Sequence, residues 1–195
     1  MGVLTRPRLI LASASPRRRD LLSRAGYDVR IAASDIEELD SCNEGPGALA
    51  LINAKRKWNA IAPQYPDEIV VAADTVVWLD GRFYGKPVDF VEAAKMLAIL
   101  SGRTHQVVTG VVVGRVGEGS QEFAEVSMVT FHALDENEID AYLKDIHPLD
   151  KAGAYAAQDD NGRIIAKVEG SLSNVSGLPM ERLETFLSSE NYRRQ

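Results

Sequence analysis

The sequence predicts an α/β fold built on a mixed sheet, and three observations carry that expectation. Helical and strand patterns interleave along the chain instead of falling into separate blocks. Ile69 to Ala73 is β-branched and apolar on both alternating faces, as in a strand covered on two sides. His105 to Val116 and Glu122 to Leu134 are long strand patterns linked by a Gly-containing turn, which predicts a hairpin at the middle of the sheet.

Taken in order, Leu9 to Ala12 reads as a short buried strand, followed by Ser15 as N-cap and Pro16 at the first helical position. Leu21, Leu22 and Ala25 share the inner face of that helix, and Gly26 is its expected left-handed stop. Val29 to Ala33 predicts a second strand and the acidic stretch Asp35 to Glu44 a loop. Ala48 to Ile61 has helical spacing, read with Leu49, Ile52 and Ala60 inward and Asn53, Arg56 and Lys57 outward; Pro63 and Pro66 end it. Val76 to Tyr84 predicts a hairpin about Asp80-Gly81, so Asp74-Thr75 is expected at the end of the preceding strand. Asp89 with Glu92, and Asp135 with Glu138, are capping signals for two further helices. After an Asp160-Asn161-Gly162 turn, Arg163 to Val168 reads as a strand and Pro179 opens a terminal helix with Leu183 and Phe186 inward.

The chain has 195 residues, a length that suits one domain over 1–195, and its 45% hydrophobic and 26% charged content is that of a globular protein. A net charge of −6 disfavours a non-specific nucleic-acid binder held by a basic surface, so any anion site must be local. The lone Cys42 leaves no intrachain disulfide and no cysteine cluster for zinc, which fits a reducing cytoplasm. No uncharged apolar run approaches the roughly 18 residues of a membrane span. A soluble, unprocessed chain is therefore expected, with a frayed polar end at Asn191 to Gln195.

The first candidate for chemistry is Ser13-Ala14-Ser15-Pro16-Arg17-Arg18, two hydroxyls and two guanidinium groups around a strand-to-helix turn. Free N–H groups at a helix start and planar arginine donors suit phosphoryl oxygens. Asp74 follows a wholly apolar strand, where an ionised carboxylate is costly unless it reaches a cleft, a metal or a partner. Thr75 suits a phosphate oxygen or an ordinary turn cap, and Lys86 in Gly85-Lys86-Pro87 suits a point charge toward phosphate. The spaced glycines and following Ser or Thr of a Walker loop are missing. Glu37 or Glu38 can join Asp74 around a hard divalent ion, which needs one or two carboxylates plus phosphate oxygens. On residue pattern alone, Lys55-Arg56-Lys57 is a solvated helix face. Chain spacing leaves Gln158, Lys151 and Asn174 open, and His105, His132 and His147 have no metal spacing and read as structural. The Asn174-Val175-Ser176 triplet matches a glycosylation acceptor but carries little meaning in a cytoplasmic chain.

Together, the Leu11 to Arg18 run, Ala73-Asp74-Thr75-Val76-Val77, Gly85-Lys86-Pro87, Leu100-Ser101-Gly102 and Thr109-Gly110-Val111 resemble the Maf family of nucleoside triphosphate pyrophosphatases. So do Asp150 to Gln158, Glu169-Gly170-Ser171 and Asn174 to Pro179, so that the resemblance runs in order over nearly the whole chain. It implies a Maf or ITPase-like fold, a mixed twisted sheet flanked by helices with two lobes around a cleft, often in a homodimer. It also implies hydrolysis of nucleoside triphosphates to monophosphate and pyrophosphate, aided by Mg²⁺ or Mn²⁺. On this resemblance Arg17, Ser13, Ser15, Thr75 and Gln158 bind substrate, Arg18, Lys55, Lys86 and Asp74 act in catalysis, and Glu38 shares a metal with Asp74. The Lys151 to Tyr155 run with Gln158 resembles the branch acting on dTTP and UTP. Action on 7-methyl-GTP, as in a sister branch, or on another modified purine, and a non-catalytic role in regulating septum formation or cell division, are the alternatives.

Overall fold

The computed structural model describes residues 6–188, and the tail Asn191 to Gln195 lies outside the described residues. Strand β1 (Arg8–Leu11) leads into helix α1 (Pro16–Arg24), and β2 (Asp28–Ile31) returns beside β1 in parallel. Gly26 takes a φ of 85°, the left-handed turn that stops α1 and that a Cβ would resist. Helix α2 (Pro46–Ile61) follows the acidic loop, and β3 (Ile69–Leu79) turns through Asp80-Gly81 into the short β4 (Arg82–Tyr84). Helix α3 (Phe90–Leu100) is capped by Asp89, whose side chain accepts from the Glu92 N–H at 2.7 Å. The hairpin of β5 (Thr104–Arg115) and β6 (Gly119–Phe131) is as long as expected. Helix α4 (Glu136–Asp145) begins with a complete Asp135/Glu138 capping box. Three short 3₁₀ turns then lead to β7 (Ile165–Glu169), α5 (Leu172–Val175) and α6 (Met180–Leu187).

Among the described residues, seven strands form one mixed sheet in the order β2-β1-β3-β5-β6-β7, with β4 also paired to β3. Strands β1 and β4 share one edge of β3: β1 covers it opposite Ile69 to Val71, and β4 opposite Val77 to Leu79. Between them a stretch of β3 edge has no strand partner among the described residues, and it contains Asp74 and Thr75. The hydrophobic packing divides at the same place. One cluster takes Ile69, Val71 and Ala73 with Leu9, Leu22, Val111 and Leu183; another takes Val77 and Leu79 with Leu97, Val107, Phe131 and Tyr142. The two lobes therefore share β3 and β5, and the bare edge opens between their cores.

Two sequence expectations are corrected here. Asp74-Thr75 lies inside a continuous strand, paired with Gly110 and Thr109 of β5, because β5 supports β3 from Val70 to Trp78. On α2, Leu49 is buried as expected, but Asn53 and Lys57 are buried too, while Ile52 is exposed. The buried stripe is Ala50, Asn53, Ala54 and Lys57, a single helical face at spacings of three and four. Gly110 explains why that face wins: a Cβ there would stand 2.4 Å from the carbonyl carbon of Ala50. Its absence lets α2 rest backbone-to-backbone on β5 beside Asp74.

Candidate active site

The bare edge of β3 opens into a cleft of about 700 Å³, a volume suited to a small-molecule ligand. Its walls come from the turn after β1, the acidic loop, α2, β3, the loop after β4 and the 3₁₀ segment around Tyr155. Successive side chains of a strand point to opposite faces, so Asp74 and Thr75 project to either side of the same edge.

On the Asp74 side the charges are gathered by α2. Lys57 Nζ stands 2.7 Å from Asp74 Oδ1 and 2.6 Å from Glu38 Oε1, and also donates to the Ala73 carbonyl at 3.4 Å. Asn53 Nδ2 donates to Asp74 Oδ2 at 3.1 Å and to the Leu39 carbonyl at 3.0 Å, while its Oδ1 accepts from Leu39 N–H at 2.9 Å. Burial alone raises the Glu38 carboxyl, but Lys57, with smaller contributions from Lys86 and Arg18, more than offsets it and holds the group below its ordinary value. Glu38 is thus ionised at neutral pH.

On the Thr75 side the groups are donors. The buried Arg18 guanidinium donates from Nε to the Gly177 carbonyl at 2.8 Å, from Nη1 to Ser13 Oγ at 2.9 Å and from Nη2 to Thr75 Oγ1 at 3.0 Å. Thr75 in turn shares a 2.9 Å hydrogen bond with Thr109, whose hydroxyl donates to the Asn174 carbonyl at 3.2 Å. Burial lowers the Arg18 pKa against the raising effect of Asp74 and Glu38, yet a guanidinium remains charged. Ser15 holds the N-cap position of α1 without a side-chain cap bond, and it is one of the residues lining the cleft. Arg17 is tied across the mouth to the Asp150 carboxylate at 3.0 Å and its carbonyl at 3.2 Å. Burial raises the Asp150 carboxyl, but Lys151 and Arg17 outweigh that and hold it low.

The cleft thus brings together Ser13, Ser15, Arg17, Arg18, Glu38, Asp74, Thr75 and Lys86 from the predicted set. Lys55 and Gln158 are not brought into it. Lys55 lies on the far side of the α2 stripe, more than half exposed, in a 2.6 Å ion pair with Glu122 of β6. The lysine at the carboxylates is Lys57, two positions on, because α2 turns that face to β3. Gln158 is exposed on the 3₁₀ turn Ala157–Asp159, where Ala157 rather than Gln158 meets the cleft. Asn53, Lys57 and Thr109 were missed, although the four-residue spacing of Asn53 and Lys57 between small alanines is a helical stripe in the sequence itself. Lys151 lines the cleft, whereas Asn174 is fully buried, donating to the Val107 carbonyl and Ser127, which excludes a glycan on the folded chain. His105 is buried against Tyr155 at 2.9 Å, a structural position as expected.

The fold and the cleft define an α/β protein with a built site for an anionic ligand, donors on one wall and a carboxylate pair on the other. Comparison with known proteins makes this specific. The Maf-like protein family model matches residues 8–190, and the chain belongs to the Maf family. It is 43% identical over 187 residues to a dTTP/UTP pyrophosphatase of Akkermansia muciniphila, covering 96% of this chain and 98% of that one. A dTTP/UTP pyrophosphatase of Bacillus pumilus is 44% identical over 182 residues, covering 91% and 96%. Among solved structures, the Staphylococcus aureus Ham1 protein matches with a TM-score of 0.53 at 16% identity, covering 92% of this chain and 97% of that one. A HAM1 protein from Coxiella burnetii gives the same score and identity with 93% and 98% coverage, a likeness of fold. Among the described residues no helix is long and apolar enough to cross a membrane.

Proposed function

We propose that the protein is a nucleoside triphosphate pyrophosphatase that cleaves dTTP and UTP to the monophosphate and pyrophosphate. The observation that carries this reading is the apposition, across one bare strand edge, of the Arg18 donor cluster and the Glu38–Lys57–Asp74 centre. In this reading Ser13, Ser15, Arg17 and Thr75 hold phosphate oxygens, with phosphate displacing Asp150 from Arg17. Water attacks the α-phosphorus, the bond from that phosphorus to the bridging oxygen breaks, and pyrophosphate leaves in line with the electron pair. Asp74 accepts the proton of the attacking water, while Arg18, Lys57 and Lys86 neutralise the developing charge. Lys57 takes the role that the resemblance gave to Lys55. The apolar cleft residues Val77, Met96, Val107 and Tyr155 offer a surface for a base, and the names of the relatives support a pyrimidine.

The residues also fit a divalent cation. Two carboxylates from different elements converge on one cationic centre, and Mg²⁺ or Mn²⁺ takes one or two such ligands while leaving other positions to phosphate oxygens and water. Glu38 and Asp74 would hold it, and among the described residues no larger ligand cluster competes. When bound, such an ion would add charge neutralisation at the phosphates. A homodimer working in the cytoplasm completes the reading, supported by the family resemblance and by the single cysteine; light scattering at the 21.3 kDa monomer mass would refute the dimer.

The test is pyrophosphate release from a panel of common and modified triphosphates, 7-methyl-GTP included, with magnesium or manganese. dTTP and UTP are expected to lead. Preference for 7-methyl-GTP would overturn the pyrimidine assignment, and an inert protein would overturn the activity.

A further inference from the structure

Asn53 touches both halves of the acidic wall. It is 1% exposed, and its side-chain amide uses three hydrogen bonds on two separate chain segments. Two of them close on the N–H and carbonyl of Leu39, fixing the backbone immediately after Glu38. The third reaches Asp74 Oδ2, the carboxylate oxygen that Lys57 does not contact. Through these two bonds the backbone of Leu39 is tied directly to α2. The loop from Asp35 to Glu44 has no helix or strand of its own, and Glu38 sits on it with an exposed side chain. An amide is the group the site requires, since a carboxylate at 53 could not donate to Asp74 or to the Leu39 carbonyl, and a lysine could not accept from the Leu39 N–H.

We infer that Asn53 is a positioning residue that locks the loop carboxylate Glu38 and the strand carboxylate Asp74 into one frame for the hydrolysis proposed above, on which the inference rests. Asn53 does not meet the donor wall of Ser13, Arg18 and Thr75. Its effect is therefore on the reacting geometry and not on the hold upon the nucleotide.

The experiment compares wild type with Asn53→Leu, which keeps the branching at Cγ and removes all three bonds, and with Asn53→Asp, which keeps the shape and one acceptor. Misplacement on the order of an ångström costs about 10²-fold in rate, so kcat with dTTP is expected to fall by about that factor while KM stays within about threefold. Thermal melting verifies that each variant is folded, and Asn53→Asp stands in where Asn53→Leu does not fold. In a Glu38→Gln background the same substitution is expected to cost less, because one of the two carboxylates it positions is already gone while Asp74 still loses its Asn53 bond. A kcat within about threefold of wild type, a loss confined to KM, or full additivity with Glu38→Gln overturns the inference. Wild type inert toward every triphosphate overturns instead the activity on which it rests.

Discussion

Two lysines two residues apart on α2 have opposite fates, and replacing each by Met separates them. Lys57 has a side chain 9% exposed, between Asp74 at 8% and Glu38 at 38%. Removing one partner of a buried pair costs about 3–5 kcal/mol because the remaining charge is stranded. Glu38 can turn to water and Asp74 keeps the Asn53 bond, so the lower end applies, about 3 kcal/mol for Lys57→Met. Lys55 and Glu122 are 53% and 35% exposed, and such a pair contributes about 0–1 kcal/mol. Urea denaturation at pH 7 measures both. Pyrophosphate release from dTTP is expected to drop about 10²-fold or more in Lys57→Met, as when a charge-stabilising donor is lost. Lys55→Met should turn over like wild type. A Lys55→Met protein that loses activity while Lys57→Met keeps it, or equal stability losses in the two, would refute the assignment of the buried pair.

Three further outcomes follow from the same geometry. Gly110→Ala forces a methyl group against the α2 backbone at 2.4–2.5 Å, so α2 must lift from β5. A cost of about 3 kcal/mol or more is expected, as for overpacking that backbone cannot relieve, with turnover falling because Asn53 and Lys57 ride on α2; an unchanged denaturation midpoint would refute the close approach. Thr75→Val removes the hydroxyl shared by Arg18 and Thr109, and the KM for dTTP should rise while the Lys57–Asp74 pair is untouched; an unaltered KM argues against Thr75 in phosphate binding. Burial lowers the His105 pKa from 6.5 to about 4, so the folded chain keeps it neutral where the unfolded chain protonates it. Its contribution is full above 6.5 and is lost as pH falls toward 4, roughly 3 kcal/mol in all by linkage; a histidine NMR titration with a His105 midpoint near 6.5 would contradict this.

What was legible in the sequence is local. The Asp89 and Asp135 caps, the Gly26 stop and the Asp80-Gly81 hairpin each depend on a few neighbouring residues, and each stands where the pattern put it. The Ser13 to Arg18 turn was legible for the same reason, since a strand, a cap and a proline define it without help from the rest of the chain. Asp74 was recognisable as a carboxylate with no apolar excuse, but its position within β3 was not, because the pairing that extends the strand comes from β5, beyond Gly102.

The error on α2 has a different origin. Hydrophobic periodicity identifies the side of a helix that avoids water, and it assigns every charged residue to the opposite side. A helix that walls a cleft breaks that rule, because the cleft face carries amides and ammonium groups whose partners are other polar side chains. Ala50 and Ala54 mark the face correctly: small residues at a four-residue spacing permit the backbone contact with Gly110, and Asn53 and Lys57 lie on the same stripe. Ile52 and Leu49 cannot both be inward with Ala60 once that contact is made. The sizes of the residues, more than their polarity, therefore orient α2, and its orientation decides which lysine meets Asp74.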